Sequence, residues 1–374
     1  MSWFRNFFVT LFGGKKGQPA PVSSDSQRKA PAAHVAPSML TYAEHTLGWL
    51  FQHGQTSMIV TDTYDIEHPP SIDPDVLNRL RAHISRIPPM PEIWHQVQEI
   101  MQRADASAGE LGQCVAQDPV LTARILTVCN SPLYGMHNSA EISNIRLAIA
   151  RLGLNESCNI IFHSLAPELG GSNYKKSEIR HIWFHSQAIA KLARLLSEPS
   201  SKLDQHTASL AGMLHDIGKL VMLHVESKPE LSRLMNRIDQ GSGALTAEYE
   251  AFGYTHIDAG MMLALHWRLP KSVQQMISLH HRPDAASIDK LPANIQALMA
   301  ALQAAHLILQ HSMEDSRDQL SVWHNHRRSC GDDMMAFVQD VLHIPLDSTG
   351  LFAQLQAEIE RLKLSFPDLF QPKN

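Results

Sequence analysis

Apolar residues recur at helical spacing along most of this chain, and that periodicity constrains its fold more than any other feature. In one stretch, Ile93, Val97, Ile100 and Met101 occupy the i, i+4, i+7 and i+8 positions of a single helix face. From Pro88 onward, no segment shows the sustained apolar–polar alternation that a half-buried strand requires. Since 44% of the 374 residues are apolar, the chain can bury a sizeable core. We therefore predict an all-α helical bundle.

Local signals place several helix boundaries. Ser107 precedes Glu110 by three residues, which predicts a capping box at a helix start. Asp118-Pro119 predicts an N-cap followed by proline at the first helical position. The amphipathic stretch 142–152 ends before Gly153, a typical helix stop.

Composition excludes several classes of protein. The four cysteines are scattered without a CxxC pair, which excludes a disulfide scaffold and a thiolate zinc finger and favours a reducing cytosol. The formal net charge of −5 gives no nucleic-acid footprint, so we expect no direct DNA binding. No run of about 20 apolar residues occurs, so we expect no spanning helix and a cytoplasmic protein.

The N-terminal residues differ from the rest of the chain. Residues 1–16 combine an aromatic run with Lys15 and Lys16, which makes weak peripheral contact with the inner membrane one alternative. The other alternative is that this segment packs on its own protein or on a partner. Residues 17–38 are rich in Pro, Ala and Ser and read as a flexible linker, so 1–38 is predicted as a partly disordered extension. Residues 39–85 regain apolar side chains and are interpreted as a small docking segment.

Histidine is exceptionally frequent, with 22 copies, and several copies stand at suggestive positions. Imidazole together with a carboxylate suits iron, manganese or zinc, and a metal-bound water can be a nucleophile near neutral pH. One interpretation is that the chain carries a shared metal cluster, and the alternative is that its helices keep the pattern without the metal. The candidate ligands are His185, His215, Asp216, His256, His280, His281 and His306, with His181 as a further candidate one turn before His185.

These residues lie within a series of motifs that resembles the HDOD family (HD-related output domain) of bacterial signalling proteins, within the HD superfamily. The resemblance covers residues about 86–365, with the HDOD domain itself predicted at 86–310 and its HD-like half at about 175–310. It implies an all-helical HD-like bundle. The motifs are, in chain order, Ile87-Pro88-Pro89-Met90-Pro91, Gln117-Asp118-Pro119-Val120-Leu121, Asn130-Ser131-Pro132-Leu133-Tyr134-Gly135, Ala148-Ile149 with Leu152-Gly153, Met213-Leu214-His215-Asp216-Ile217-Gly218-Lys219-Leu220, and His280-His281-Arg282-Pro283.

The chain departs from hydrolytic HD enzymes at two positions. His306 stands where those enzymes carry a closing aspartate, and His181 stands where di-metal relatives often carry a glutamate. Both changes remove negative charge, which disfavours a magnesium-like site and favours softer cations. The Gly-Tyr-Pro motif of the related cyclic di-GMP phosphodiesterases is absent after His281, which disfavours that activity.

Three functions stay open. The resemblance favours a signal-transduction protein whose HDOD domain is a non-catalytic output or scaffold module that binds an unidentified signalling partner or a small nucleotide ligand. The second is a metal-dependent phosphohydrolase acting on a nucleotide or phosphodiester, in which Lys219 would contact phosphate. The third is a metal or ligand sensor without turnover.

The C-terminal residues 311–374 are predicted to add helices that pack on the bundle. Amphipathic stretches occur at 334–342 and 351–364. The apolar face of the second stretch is also a candidate homodimer surface, and its members are Leu351, Leu355, Ile359 and Leu362.

Overall fold

The computed structural model describes residues 62–66, 68–131, 134, 142–165, 176–198, 203–240, 242–281, 290–313, 341–342 and 349–365. All regular secondary structure in these ranges is helical, which confirms the predicted all-α fold. The aromatic segment, the linker and most of the stretch at 334–342 lie outside the described residues.

Six helices form the described portion of the N-terminal half. They are α1 (Pro74–Ile84), α2 (Glu92–Met101), α3 (Ala108–Val115), α4 (Pro119–Cys129), α5 (Ile145–Leu152) and α6 (Leu154–Leu165). On α2 the predicted face is correct at Val97 and Met101, which are buried, whereas Ile93 and Ile100 are only partly buried. Trp94, which is only 1% exposed, is the largest buried side chain of this helix.

Nine further helices follow among the described residues. They are α7 (Lys176–Ser197), α8 (Gln205–Leu214), α9 (Ile217–Val225), α10 (Lys228–Asp239), α11 (Ala244–Phe252), α12 (His256–His266), α13 (Lys271–Leu279), α14 (Ala293–Met313) and α15 (Thr349–Ser365). Within the described residues, no helix is both long and apolar enough to cross a membrane.

The predicted helix boundaries are mostly correct, with two differences. Asp118 caps α4 by accepting from two backbone N–H groups, and Gly153 ends α5 with a φ of +83°. Ser107 caps α3, but the Glu110 carboxylate binds Arg103 instead of closing a capping box, because the bidentate guanidinium offers two charge-assisted bonds of 2.6 and 2.7 Å.

The start of α5 is the second difference. The amphipathic stretch begins at residue 142, but the helix begins at Ile145, because the Asn144 side chain caps it. The backbone of Ile142 is held instead by the Asn130 side chain, which both donates to its carbonyl and accepts from its N–H, at 2.8 and 2.9 Å.

Two hydrophobic cores meet at α7 and α8. The first core joins α1–α6 with α9–α13, and the second joins α7 and α8 with α14 and α15. On α7, Ile182 belongs to the first core and Phe184 to the second. The next residue that faces inward, His185, therefore lies where the two cores adjoin.

Helices α9 and α12 come into backbone contact. A Cβ atom at Gly218 on α9 would lie 1.8 Å from the His256 carbonyl oxygen and 2.7 Å from the Gly260 nitrogen on α12. Only glycine permits this approach, which brings the start of α9 against the start of α12.

Residues just before α1 fasten to α11. The Asp62 carboxylate accepts from the backbone N–H groups of Leu245 and Thr246, at 2.8 and 3.1 Å, and so caps a helix from far along the chain. Nearby, the Tyr64 ring packs on Tyr249 with centroids 5.8 Å apart.

Helix α15 packs along α7. Its apolar side chains Leu355, Ile359 and Leu362 are buried in the second core, and Leu351 is partly buried. Leu364 is 73% exposed.

Candidate metal centre

Six helices bring the seven predicted ligands together at the junction of the two cores. His185 projects from α7, His306 from α14, and His256 begins α12. His215 and Asp216 form the turn between α8 and α9, while His280 and His281 follow α13. The ligand atoms form two groups, each spanning no more than 4.8 Å, with Asp216, His256, His280 and His281 in one and His185, His215 and His306 in the other.

Asp216 lies between the two groups. Its Oδ2 atom is 3.5 Å from His185 Nε2 and 3.3 Å from His215 Nε2. Its Oδ1 atom is 3.4 Å from the Nε2 atoms of both His256 and His280. Each carboxylate oxygen therefore faces a different pair of imidazoles, which is the arrangement of a carboxylate that bridges two cations.

The outer histidine of each group approaches an inner one through Nε2. His281 Nε2 lies 3.1 Å from His256 Nε2, and His306 Nε2 lies 3.2 Å from His215 Nε2. A third contact of 3.2 Å joins His256 Nε2 to His280 Nε2. Two imidazole nitrogens at this distance need either a shared proton or a cation between them.

The other ring nitrogen of several histidines is already engaged. The Nδ1 atoms of His215, His280 and His306 lie 2.8, 3.0 and 2.8 Å from backbone carbonyl oxygens three or four residues earlier. A carbonyl only accepts, so each Nδ1 carries the proton and each Nε2 presents its lone pair. This outer hydrogen bonding fixes the tautomer that a metal ligand needs.

His256 is oriented by a carboxylate that the sequence analysis did not assign to the site. Its Nδ1 lies 2.8 Å from both oxygens of Glu248, and its backbone N–H donates to the same carboxylate at 2.8 Å. Such a carboxylate raises the basicity of the ligating imidazole. Glu248 is eight residues before His256, and only the left-handed turn at Gly253 brings the two together.

Lys219 and His181, the two remaining candidates, lie outside both groups of ligand atoms. Lys219 is fully buried, and its ammonium donates to Asp216 Oδ2 at 2.9 Å, so it neutralises the shared carboxylate. Its role as a phosphate contact stays a prediction. His181 is buried one turn before His185 but belongs to neither group of ligand atoms.

Burial sets the charge of the site. It lowers the pKa of His280 to about 4 and that of His185 well below its usual range, although the Asp216 carboxylate opposes both shifts. Burial would raise the pKa of Glu248, but the adjacent His256 and the more distant Lys219 outweigh it and lower that pKa. His185 and His280 are therefore neutral at pH 7, in the form that binds a cation.

The centre is closed to solvent on most sides. His185, His215, Asp216 and His256 are 0% exposed, His280 and His306 are at most 5% exposed, and only His281 is partly exposed. The nitrogen-rich ligand set can hold a metal of the iron, manganese or zinc type.

Comparison with known proteins identifies the family and the fold. The family model described as the HDOD domain matches residues 87–283. An HDOD domain protein from Geobacter sulfurreducens is 24% identical, with a TM-score of 0.59 over 80% of this chain and 99% of that one. A candidate phosphohydrolase from Shewanella amazonensis SB2B is 20% identical, with a TM-score of 0.54 over 78% of this chain and 98% of that one. These two structures share the fold.

Two further relatives are less similar, the first in sequence identity and the second in the share of each chain that is matched. A candidate signal transduction protein from Marinobacter aquaeolei VT8 is 17% identical, with a TM-score of 0.54 over 83% of this chain and 66% of that one. Ribonuclease Y from Thermus thermophilus is 31% identical over 137 residues, which are 37% of this chain and only 19% of that enzyme. The family match spans more than half of the sequence, and the chain belongs to the HDOD family.

Proposed function

We propose that this chain is a signal-transduction protein whose HDOD domain is a non-catalytic module that binds a partner or a small ligand. In this proposal, the His/Asp centre holds iron, manganese or zinc and stabilises the bundle. The observation that carries the proposal is the burial of the centre, in which Asp216 and three of its histidines are wholly inaccessible.

Burial matters because a hydrolytic metal needs a coordination position that water and substrate can reach. Here the group of Asp216, His256, His280 and His281 offers four ligand atoms, which would fill the four-coordinate shell of a zinc ion without a water ligand. Structural metal sites are closed in this way, whereas catalytic ones keep one position open. His306 in place of an aspartate further reduces the negative charge available to a second cation.

Metal content and turnover, measured on the same samples, test the proposal. The protein is purified without chelator beside Asp216→Ala, with Asp105→Ala as the matched control because that side chain is 81% exposed and outside the centre. We expect metal in the wild type and in the control, loss of metal in Asp216→Ala, and no hydrolysis of nucleotides or phosphodiesters by any of the three. Hydrolysis that requires Asp216 would overturn the non-catalytic role.

A second function, metal-dependent phosphohydrolysis of a nucleotide or phosphodiester, is favoured by one observation. A single carboxylate stands between two groups of three histidines, and two-metal hydrolases use a bridged pair of cations to stabilise attacking and leaving oxygens. In this alternative Lys219 would have to reach a phosphate. Turnover with added manganese or ferrous iron, absent in Asp216→Ala, is its expected signature.

A further inference from the structure

A polar cavity lies apart from the metal centre, between the two halves of the fold. Its volume is about 310 Å³, and it opens between the α5–α6 junction, α7 and α15. That volume is at the small end of the ~300–1,000 Å³ range of ligand pockets. Four basic and two acidic side chains line it, namely Arg151, Lys191, Arg194, Arg361, Glu156 and Glu358.

The wall of the cavity is an ion-pair network that burial makes rigid. Lys191 Nζ lies 3.1 Å from Glu156 and 3.7 Å from Glu358, and these three side chains are only 13 to 18% exposed. The Tyr134 hydroxyl bonds to Glu156 and accepts from Lys191 at 3.3 Å. Burial would lower the pKa of Lys191, but the two carboxylates and Tyr134 outweigh it and raise that pKa, so the ammonium stays charged.

The arginines leave a surplus of two positive charges, in a chain whose overall charge is −5. Arg194 is 27% exposed, and its contacts with described residues are long, at 3.6 Å to Glu198 and 3.4 Å to Gln205. Arg361 is 62% exposed and pairs with Glu358 one turn earlier on α15. Guanidinium groups bind phosphate oxygens in a bidentate manner, and a phosphate monoester carries about −1.5 to −2 charges at pH 7.

Amide groups add a second kind of recognition. Within the described part of the chain, the buried side-chain oxygen of Asn155 has no hydrogen-bond donor. The Asn159 amide donates to Ser209 Oγ over a long distance of 3.5 Å. A ligand with an N–H or O–H donor would satisfy Asn155, since an unpaired buried acceptor costs free energy.

We propose that this cavity binds a small organic phosphate monoester, with its phosphate on Arg151, Arg194 and Arg361 and its polar body against Asn155 and Asn159. The inference rests on the ligand-binding role proposed above and names its site. Because Arg361 and Glu358 come from α15 and Lys191 and Arg194 from α7, the bound phosphate would join α15 to the helix that also carries His185.

Titration calorimetry with AMP and with inorganic phosphate tests this site. We expect AMP to bind the full chain, inorganic phosphate to bind more weakly, and Arg194→Gln and Arg361→Gln each to weaken AMP binding at least tenfold. Arg233→Gln is the matched control, because that side chain is equally exposed, at 62%, and lies on α10 away from the cavity. Thermal unfolding of each variant shows whether it is folded.

Three results would overturn the proposal. They are no binding of either probe to the wild type, AMP binding that both cavity variants retain, and AMP binding that is lost in Asp216→Ala but kept in the cavity variants. The last result would place the phosphate at the metal centre. Failure here leaves the metal content and the absence of turnover unchanged, so it is distinguishable from failure of the proposed function.

Discussion

Replacing Gly218 with alanine tests the close approach of α9 and α12 beside the candidate metal centre. Helix propensity alone predicts a gain, since alanine is favoured over glycine in a helix by about 1 kcal/mol. Packing predicts the opposite, because the new Cβ would lie 1.8 Å from the His256 carbonyl oxygen, a backbone atom that cannot rotate away. The two helices would have to move apart by more than 1 Å, roughly the shortfall from an ordinary carbon–oxygen contact.

The packing effect should dominate. Overpacking a well-filled core costs about 1–3 kcal/mol, and a backbone clash lies at the upper end of that range. After the propensity gain is subtracted, we expect a net loss of about 2 kcal/mol, or a fall in Tm of roughly 4–8 °C at about 2–4 °C per kcal/mol. Displacing His256 and Asp216 should also reduce bound metal.

Thermal unfolding followed by far-UV circular dichroism, with metal content measured alongside, provides the assay. Gly109→Ala on α3 is the matched control, because its new Cβ would meet only Ser107 Oγ at 3.8 Å, so we expect no loss. Gly260→Ala should fall between the two, since its nearest neighbour is a side-chain methyl at 3.0 Å. A Tm for Gly218→Ala at or above that of the wild type would refute the reasoning.

Three other predictions follow from contacts described above. Glu248→Gln should weaken metal binding about 10–100-fold in competition with a chelator, because the neutral amide no longer raises the basicity of His256, whereas the exposed Glu250→Gln should not. Burial lowers the pKa of His206 from 6.5 to about 4, so the folded state binds fewer protons than the unfolded state in that interval. The free energy of unfolding should therefore fall as the pH drops from 6.5 to 4, and His206→Gln should remove up to about 3 kcal/mol of that loss in urea titrations; an unchanged pH slope would contradict this. Asp62→Ala should cost about 1 kcal/mol by removing the distant cap of α11, measured against Asp65→Ala, and equal stabilities would argue against the cap.

Local signals in the sequence predicted much of the fold because they depend on near neighbours. The cap at Asp118 and the stop at Gly153 each depend on a few adjacent residues, and both are correct. The capping box predicted at Ser107 is correct for the serine and wrong for the glutamate. The Glu110 carboxylate binds Arg103, seven residues earlier, instead of the backbone of Ser107. Such competition depends on where a flexible side chain lies, and sequence spacing does not record this.

The candidate ligands could be predicted from the sequence, but the residue that orients one of them, Glu248, could not. The resemblance and the spacing of histidines named all seven candidate ligands that the fold brings together. Glu248 was missed because no helical spacing relates it to His256, and the turn at Gly253 that joins them has no metal-site signature. The cavity at Lys191 could not be foreseen either, because Glu358 reaches it from a helix far along the chain.

The two groups of candidate ligands become complete at different times during synthesis of the chain. As the chain leaves the ribosome, the group containing His256, His280 and His281 has all its ligands once residue 281 has emerged, whereas the other group waits for His306. His306 must then close a loop of 91 residues to reach His215, which costs more chain entropy than the closure of 65 residues between Asp216 and His281 in the first group. One half of the centre can therefore assemble before the other, and the second half is complete only when α14 has docked.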